Sequence, residues 1–499
     1  VRDAHAGLLP RGEGDRRLHS RRVLSEPTIM LLHVLFAAVL ALLAVVGAEP
    51  QRRVRHVRRD GAKAPLSPTL DPFYVAPNGW EKTKPGTILS SREIQASFST
   101  TQKMNLDKAY QILYRTSGTS TDQPSYTVTT VLVPHNANTD SLVMVMPYED
   151  SNFVECAPSY KIQLGAPAEL NPLQSLEELM WTSMLNDGWI LTVPDHEGPL
   201  SAFSSGMLEG YASLDALRAT LAFEPLKLPS DTKIVGTGYS GGAIAGGWAA
   251  SLQNTYAPEL NVLGWAIGGT PANITATFYD MDSTMFAGLT AAGLAGIVDS
   301  YPEANDYVGS VITETGNTAL QYTREHCMSD IIMGLRNVNT LNKGFVSNTQ
   351  DFLTSPSIVG LLNNLTMGTN ADLVPKAPVY MYHSVNDEVI SFSMANRTAQ
   401  LWCDQGATMQ FQAFTGLEMG HVSTELLNSP FVLKFIRDRM ANSDFGTGCN
   451  WTTTVDPMWQ PDVLGAKLTE VFNALTNLLG SAIGPGDHLL KEHIQQGHY

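Results

Sequence analysis

The chain has 499 residues, of which 43% are hydrophobic and 16% charged, and its formal net charge at pH 7 is −16. This composition is typical of a globular protein and excludes a mainly disordered chain, while the length suits one large domain with a sizeable insertion. Because the chain beyond its first 60 residues carries a large net negative charge, nucleic acid and anionic membranes are unfavourable electrostatic partners.

The first predicted element is an apolar run over residues 30–48, which ends in small residues. Val46 and Ala48 stand at positions −3 and −1 of a site for cleavage by signal peptidase. We interpret this run as a secretory signal peptide rather than a signal anchor, the alternative that its length allows. Residues 1–29 before it are a doubtful upstream segment. Residues 49–66 contain two pairs of adjacent arginines and predict a propeptide or a basic linker. A secreted, extracellular protein is therefore expected.

Four cysteines follow the signal, and an even count in a secreted chain predicts two disulfides with three possible pairings. They are Cys156, Cys327, Cys403 and Cys449. Four N-x-S/T sequons are candidate glycosylation sites in the same compartment. These are Asn273, Asn364, Asn396 and Asn450. The sequence has no C-x-x-C pair, so we predict no zinc site.

From about residue 126, short apolar strands alternate with longer helical patterns. Strands are predicted at 127–134, 142–147, 189–194, 233–238, 262–269, 378–385 and 409–416. Amphipathic helices are predicted at 173–188 and 211–223, and helix-like segments at 391–402 and 431–441. This alternation predicts an α/β fold with a mostly parallel, buried sheet. The segment 271–376 lacks strong strands and is interpreted as a helical insertion.

A G-x-S-x-G motif runs from Gly238 to Gly242 and places Ser240 at its centre. The motif alone is weak, but it follows a predicted strand and opens a helix rich in small residues. This is the setting of a nucleophile elbow, in which glycines make room for a strained turn. The following helix N-terminus directs backbone N–H groups at a developing oxyanion. Ser240 is therefore the predicted nucleophile, and the alternative is a glycine-rich turn.

The acid and the base are expected after late strands, in the order Ser, Asp, His. Asp387 follows the strand at 378–385 and is the predicted acid, with Glu388 as its rival. His421 follows the last predicted strand and is the predicted base. His383 lies inside a strand and is interpreted as a packed or cap-facing residue.

The segment PDHEG at 194–198 places Asp195, His196 and Glu197 in succession. Neighbours in sequence rarely face one metal ion, and no H-E-x-x-H spacing is present. We therefore expect no metal site there. The segment is interpreted as the end of a strand near the active site.

Several motifs together resemble the fungal secretory lipases. They are GYSGGA around Ser240, PYEDS with PSY at 147–160, DHEG at 195–198, APELNVLGWAIGGTP at 257–271 and NDEVI at 386–390. The resemblance covers roughly residues 70–455. One departure is Gly420, a position where the family often has Glu or another residue; a second is the tail beyond residue 455, which is only loosely similar.

The resemblance implies an α/β-hydrolase core with a helical lid between the nucleophile and the acid. It assigns the catalytic roles to Ser240, Asp387 and His421, and the oxyanion hole to Gly241 and Asp150. It also implies the disulfide pairs Cys156–Cys327 and Cys403–Cys449. The implied activity is hydrolysis of carboxylic esters of triacylglycerols through an acyl-enzyme.

The predicted organisation has seven parts. They are an upstream segment (1–29), a signal peptide (30–48), a propeptide or linker (49–66), the hydrolase core (67–270 and 377–455), a helical lid or cap (271–376) and a C-terminal helical tail (456–499). Within the cap, the apolar run 285–298 either packs the cap or lines an acyl-chain site.

The leading hypothesis is a secreted triacylglycerol lipase without a cofactor. Its expected partners are a lipid or ester substrate and the lipid–water interface, with no nucleic acid and no stable protein partner. The alternatives are a secreted serine peptidase or polar-ester esterase, and an inactive relative that binds lipid.

Overall fold

The computed structural model describes residues 64–167, 172–348, 352–416, 419–455 and 483–485. The predicted signal peptide, the upstream segment, most of the propeptide or linker and nearly all of the C-terminal tail lie outside these residues. Within the described ranges, no helix combines the length and the apolar character needed to span a membrane.

A ten-stranded sheet is the central element of the fold. In chain order the strands are β1 (Ile88–Glu93), β2 (Ser97–Phe98), β3 (Gln102–Lys103), β4 (Lys108–Ser117), β5 (Pro124–Val133), β6 (Asn138–Met146), β7 (Trp189–Pro194), β8 (Lys233–Tyr239), β9 (Val262–Gly268), β10 (Val379–Ser384), β11 (Met409–Phe414) and β12 (Cys449–Thr454). The pair β2 and β3 forms its own small sheet. The other ten strands lie in the order β1-β4-β5-β7-β6-β8-β9-β10-β11-β12.

The sheet has a parallel and an antiparallel part. Every neighbouring pair from β7 through β6 to β12 is parallel, whereas β1, β4, β5 and β7 pair antiparallel. The central parallel strands are largely buried because helices cover both faces of the sheet; β7 and β10 are buried throughout, whereas the edge strand β12 is mostly exposed. The predicted α/β fold with a mostly parallel sheet is confirmed. Strands β1, β4 and β12 of this sheet were not predicted from the sequence.

Helices connect the strands and cover the sheet. They are α1 (Pro158–Lys161), α2 (Pro172–Asn186), α3 (Gly206–Leu221), α4 (Gly241–Tyr256), α5 (Ile274–Met281), α6 (Ala287–Ser300), α7 (Pro302–Val311), α8 (Glu314–Thr323), α9 (Met328–Gly334), α10 (Val359–Asn364), α11 (Phe392–Asp404) and α12 (His421–Met440). Helix α4 packs on α3 and on strands β8 and β9, and α12 packs on β8, β9 and β10. These two helices therefore hold the ends of the strands that carry the site.

Between β9 and β10, the described residues form the helices α5 to α10 and no strand of the central sheet. Helix α6 lies at its centre, and its residues from Ala287 to Ile297 are all buried. Small residues allow this close packing, since a Cβ at Gly296 would collide with the carbonyl oxygen of Phe203. The burial of α6 fits the packing role given for residues 285–298, and the alternative, that one face lines an acyl-chain site, stays a prediction.

Two disulfides are present, and they join the pairs that the resemblance implied. Cys156, after β6, is bonded to Cys327 at the start of α9. Cys403, in the last turn of α11, is bonded to Cys449 at the start of β12. The first disulfide ties the helical insertion to a loop of the core, and the second fixes the edge strand of the sheet.

Candidate active site

Ser240 forms a sharp turn between β8 and α4. Its φ is 51° and its ψ is −121°, a strained conformation for a residue with a side chain. The turn is possible because its neighbours are glycines: a Cβ at Gly238 would meet the carbonyl of Gly242, and a Cβ at Gly242 would meet that of Met146. The N–H of Ser240 donates to the carbonyl oxygen of Gly268 at 3.0 Å. This is the geometry of the predicted nucleophile elbow.

Three loops meet at one edge of the sheet. Ser240 follows β8, Asp387 follows β10, and His421 follows β11. Because β8, β9, β10 and β11 are parallel neighbours, their carboxyl ends lie side by side. The fold thus brings together three residues that lie up to 181 positions apart in the chain.

The three side chains form a continuous chain of hydrogen bonds. The Ser240 hydroxyl lies 2.8 Å from His421 Nε2. On the other side of the ring, His421 Nδ1 lies 2.7 Å from Asp387 Oδ2. Since a carboxylate accepts the hydrogen on Nδ1, Nε2 is left to accept the serine proton.

The electrostatics of this chain favour a charged pair between acid and base. Burial alone would raise the pKa of Asp387, but His421 and His383 hold it well below its usual range. Burial would lower the pKa of His421, yet the Asp387 carboxylate raises it above the ordinary value. The arrangement is therefore suited to stabilising the imidazolium that forms when the base takes a proton.

The carboxylate of Asp387 is held by more than the base. Its Oδ1 accepts hydrogen bonds from the N–H groups of Val389 at 2.9 Å and Ile390 at 2.8 Å. His383 Nε2 lies 3.3 Å from Asp387 Oδ2 and 3.0 Å from the carbonyl oxygen of Ile390. Because a carbonyl oxygen only accepts, Nε2 of His383 carries the hydrogen. His383 thus contacts the acid, a contact that the sequence interpretation of a packed residue did not anticipate.

Glu388, the rival candidate for the acid, contacts the backbone of His421 instead of its ring. Its Oε2 accepts the N–H of His421 at 2.9 Å. Asp387, by contrast, contacts Nδ1 of the ring. The geometry therefore favours Asp387 as the acid.

Further hydrogen bonds join the loop of the acid to the loop of the base. The hydroxyl of Ser384 donates to the carbonyl oxygen of Met419. The Asn386 amide donates to the carbonyl oxygen of Gly416 at 2.9 Å. These two contacts connect the end of β10 and the loop of the acid with the loop that precedes α12. From the nucleophile strand β8, the Tyr239 hydroxyl donates to the carbonyl oxygen of His421 at 2.7 Å.

Asp150 lies beside the nucleophile, in the loop after β6. It has a φ of 50° and is 3% exposed. Its N–H donates to Glu197 Oε1 at 3.0 Å, so this amide already has an acceptor. Its Oδ1 is buried without a hydrogen-bond partner and contacts Gly241 closely enough to occupy the position of a Cβ there. The carboxyl group, rather than the amide, is therefore the group of Asp150 that faces the site.

The protonation of Asp150 depends on burial. Desolvation, with the nearby Glu209, raises the pKa of Asp150 to about 7. Below that pH the carboxyl group is protonated and can donate a hydrogen bond. Gly241 supplies a second donor, because it is the first residue of α4 and its N–H has no acceptor within the helix.

The segment 195–198 packs against the loop of Asp150 and makes hydrogen bonds with it. Ser159 donates to Asp195 through its N–H at 2.7 Å and its hydroxyl at 2.5 Å. Nε2 of His196 lies 2.7 Å from the carbonyl oxygen of Pro147, and Glu197 accepts the N–H of Asp150. These side chains do not converge on one point. The described ranges contain no group of three or more His, Cys, Asp or Glu residues placed to hold a metal ion.

Glu425 lies one turn after His421 on α12 and is buried. Burial raises the pKa of Glu425 to about 8, against the opposing effect of His421 and a hydrogen bond with Tyr148. At neutral pH this carboxyl group is therefore mainly protonated. The charge that faces His421 comes chiefly from Asp387.

The fold and these contacts define a protein of the α/β-hydrolase class. The sequence model of the secretory lipase family matches residues 162–448. Among curated relatives, the chain is 63% identical over 441 residues to a secreted triacylglycerol lipase, LIP5, of Malassezia globosa, covering 88% of this chain and 93% of that protein. It is 44% identical over 457 residues to the secreted triacylglycerol lipase LIP3 of Malassezia restricta, covering 92% and 96%.

Comparison with solved structures also finds a lipase. The fold matches Candida antarctica lipase A in its closed state with a TM-score of 0.73 at 26% identity, covering 85% of this chain and 99% of that one. The chain belongs to the secretory lipase family.

Proposed function

We propose that this chain is a secreted lipase that hydrolyses triacylglycerols through Ser240, His421 and Asp387. The observation that carries the proposal is the unbroken chain of hydrogen bonds from the Ser240 hydroxyl to the Asp387 carboxylate. Triacylglycerol is supported as the substrate by the names of the curated relatives, two of which match over 88% and 92% of this chain. Their names also support secretion, which fits the predicted signal peptide at 30–48.

The proposed reaction begins when His421 Nε2 takes the proton of Ser240 and the oxygen attacks the ester carbonyl. The tetrahedral intermediate places its negative charge beside the N–H of Gly241 and the protonated carboxyl of Asp150. His421 then gives its proton to the departing alcohol, which leaves an acyl-enzyme on Ser240. Water, activated by the same histidine, releases the fatty acid.

The helical insertion is proposed to act as the cap of the acyl site. The insertion lies in the chain between β9, the neighbour of the nucleophile strand β8, and β10, which leads into the loop of the acid. The disulfide Cys156–Cys327 anchors it to the loop that follows Asp150. An acyl chain buried under the cap contributes roughly 0.8 kcal/mol per CH₂, so longer chains are favoured.

One assay tests the proposal against its alternatives. The purified mature protein is given emulsified triolein, soluble short-chain nitrophenyl esters and a peptide amide, each with wild type and Ser240→Ala. We expect hydrolysis of triolein, rates that rise with acyl length, and no amide cleavage. Ser240→Ala should fold normally and lose activity by about 10⁵–10⁶-fold.

Other outcomes of this assay would identify another function. Strict preference for acetyl esters indicates a polar-ester esterase, and amide turnover indicates a peptidase. No turnover with retained lipid binding indicates an inactive relative. Unchanged turnover by Ser240→Ala removes this serine from the mechanism.

A further inference from the structure

The backbone of the base is held by a carboxylate from the loop of the acid. His421 is the first residue of α12, and the N–H of a first helical residue has no acceptor in its own helix. Glu388 Oε2 supplies that acceptor at 2.9 Å. Since Glu388 directly follows Asp387 in the chain, one loop contacts His421 both at Nδ1 of the ring and at the backbone.

Gly420 leaves the space for this contact. A Cβ at Gly420 would lie 2.5 Å from Glu388 Oε2, and its three nearest atoms would all belong to Glu388. Gly420 has a φ of −87° and a ψ of −167°, an extended conformation that any residue adopts. A side chain at position 420 is therefore opposed by the carboxylate of Glu388 and not by the backbone.

The rest of the helix terminus has other hydrogen-bond partners. The N–H of Gly420 donates to the Ser423 hydroxyl at 2.8 Å, and the Thr424 hydroxyl donates to the carbonyl oxygen of Gly420 at 2.7 Å. The start of α12 thus has its own caps without Glu388. At this helix terminus, the hydrogen bond from Glu388 is made to His421.

We propose that Glu388 is a positioning residue for the base, and that the absence of a side chain at position 420 makes this role possible. The proposal rests on the proposed function of His421 as general base. Glu388 acts through the backbone: it fixes the turn from which the imidazole extends, so that Nε2 stays within hydrogen-bond distance of Ser240. The negative charge of Glu388 also faces the imidazole, beside that of Asp387 from the same loop. The buried carboxyl groups of Glu425 from α12 and Asp150 from the loop after β6 lie near the same ring, but burial raises the pKa of both.

Two substitutions separate the effect of Glu388 on the position of His421 from the effect of its negative charge. Glu388→Ala removes the acceptor, and we expect kcat to fall about tenfold with KM unchanged, which corresponds to one lost hydrogen bond of about 1.4 kcal/mol. Glu388→Gln keeps an acceptor and should keep kcat within about twofold of wild type. Because Gln has no negative charge, the pKa of His421 should fall. The acidic limb of kcat/KM should then move about half a pH unit lower.

A double-mutant cycle tests the role of Gly420. Gly420→Ala in the wild-type chain displaces the Glu388 carboxylate and should lower kcat about tenfold. The same substitution in the Glu388→Ala background should cost less than about twofold, because the opposing group is already gone. Glu303→Ala, which removes an exposed glutamate from the first turn of α7, is the matched control and should have wild-type kinetics.

The outcomes distinguish this inference from the proposed function. If Glu388→Ala lowers the melting temperature but leaves kcat and the acidic limb unchanged, the contact is structural only and the inference is wrong. An equal cost of Gly420→Ala in both backgrounds would also overturn it. If activity does not depend on Ser240 in the same assays, the proposed function itself fails.

Discussion

At the scale of single residues, Asp150 shows how burial changes the chemistry that a side chain offers. An aspartate in a loop is usually exposed, ionised and only an acceptor. Here its amide is already bonded to Glu197, and its carboxyl group is buried beside Gly241 with a pKa raised to about 7. A protonated carboxyl group can donate a hydrogen bond, so the buried aspartate is able to stabilise an oxyanion.

Substitution of Asp150 should show separately whether the residue acts as a hydrogen-bond donor and whether its change of protonation causes the pH dependence of the rate. Asp150→Asn retains an N–H donor that does not titrate, so it should stay within about tenfold of wild type at pH 6. Asp150→Ala should lose about 10²–10³-fold in kcat. In wild type the donor is lost as pH rises through the pKa of Asp150, which produces an alkaline limb. A pH–rate profile of the three proteins checks this: an alkaline limb that persists in Asp150→Asn would assign it to another group.

At the scale of elements, β12 illustrates how an exposed edge is stabilised. It is the last strand of the sheet, pairs with β11 and with no other strand of the described ranges, and is mostly exposed. The disulfide Cys403–Cys449 attaches its first residue to α11. Because β11 leads into the loop of His421, this edge also supports the site.

Removal of that disulfide should lower stability more than activity. Cys403 and Cys449 are separated by 46 residues in the chain. The chain-entropy model gives about 4 kcal/mol for a loop of this size. The double variant Cys403→Ala/Cys449→Ala should unfold at a clearly lower temperature and keep most of its turnover well below that temperature. Calorimetry and initial rates test this, and an unchanged melting temperature would contradict it.

The four sequons differ in the surroundings that the fold gives them. Asn364 and Asn450 are exposed, whereas Asn273 caps α5 by accepting the N–H of Ala276 at 2.9 Å. Asn396 accepts the indole N–H of Trp451 at 3.0 Å. We expect glycans on Asn364 and Asn450 in protein secreted from a eukaryotic host, and an unmodified Asn273. Peptide mass spectrometry before and after deglycosylation tests this; occupancy of Asn273 with Asn450 unmodified would contradict it.

At the scale of the whole molecule, buried carboxyl groups surround the loops of the site. Burial is the main cause that raises the pKa of each: Glu149, Asp150, Glu177, Asp195, Glu197, Glu209 and Glu425. A group whose pKa is higher in the folded state binds more protons there than in the unfolded chain. Stability therefore falls as pH rises from the unfolded value toward the folded one.

Thermal stability should accordingly be greatest under mildly acidic conditions. We expect the melting temperature to fall by roughly 5–10 °C between pH 5 and pH 8 at constant ionic strength. Asp387, whose pKa is lowered, has the opposite effect only at strongly acidic pH. Asp150→Asn should reduce the slope because it removes one titrating group. A melting temperature that is constant or rises over this range would show that the acids do not titrate as inferred.

The sequence by itself determined the local features. The glycines around Ser240 predict a turn that only small neighbours permit, and the apolar runs of β6 to β10 predict a buried parallel sheet. The positions of Asp387 and His421 after successive strands follow from the order of elements. Each of these is a property of a short stretch of chain, so a short stretch reveals it.

Only the tertiary structure decided which distant groups meet. The contacts of His383 with Asp387 and of Glu388 with the backbone of His421 depend on how two loops face each other across the end of the sheet. Nothing in the local sequence sets that geometry. The antiparallel strands β1 and β4 and the edge strand β12 were missed because pairing, rather than an apolar pattern, defines them. The donor role proposed for Asp150 likewise depends on burial, which is a property of the assembled fold.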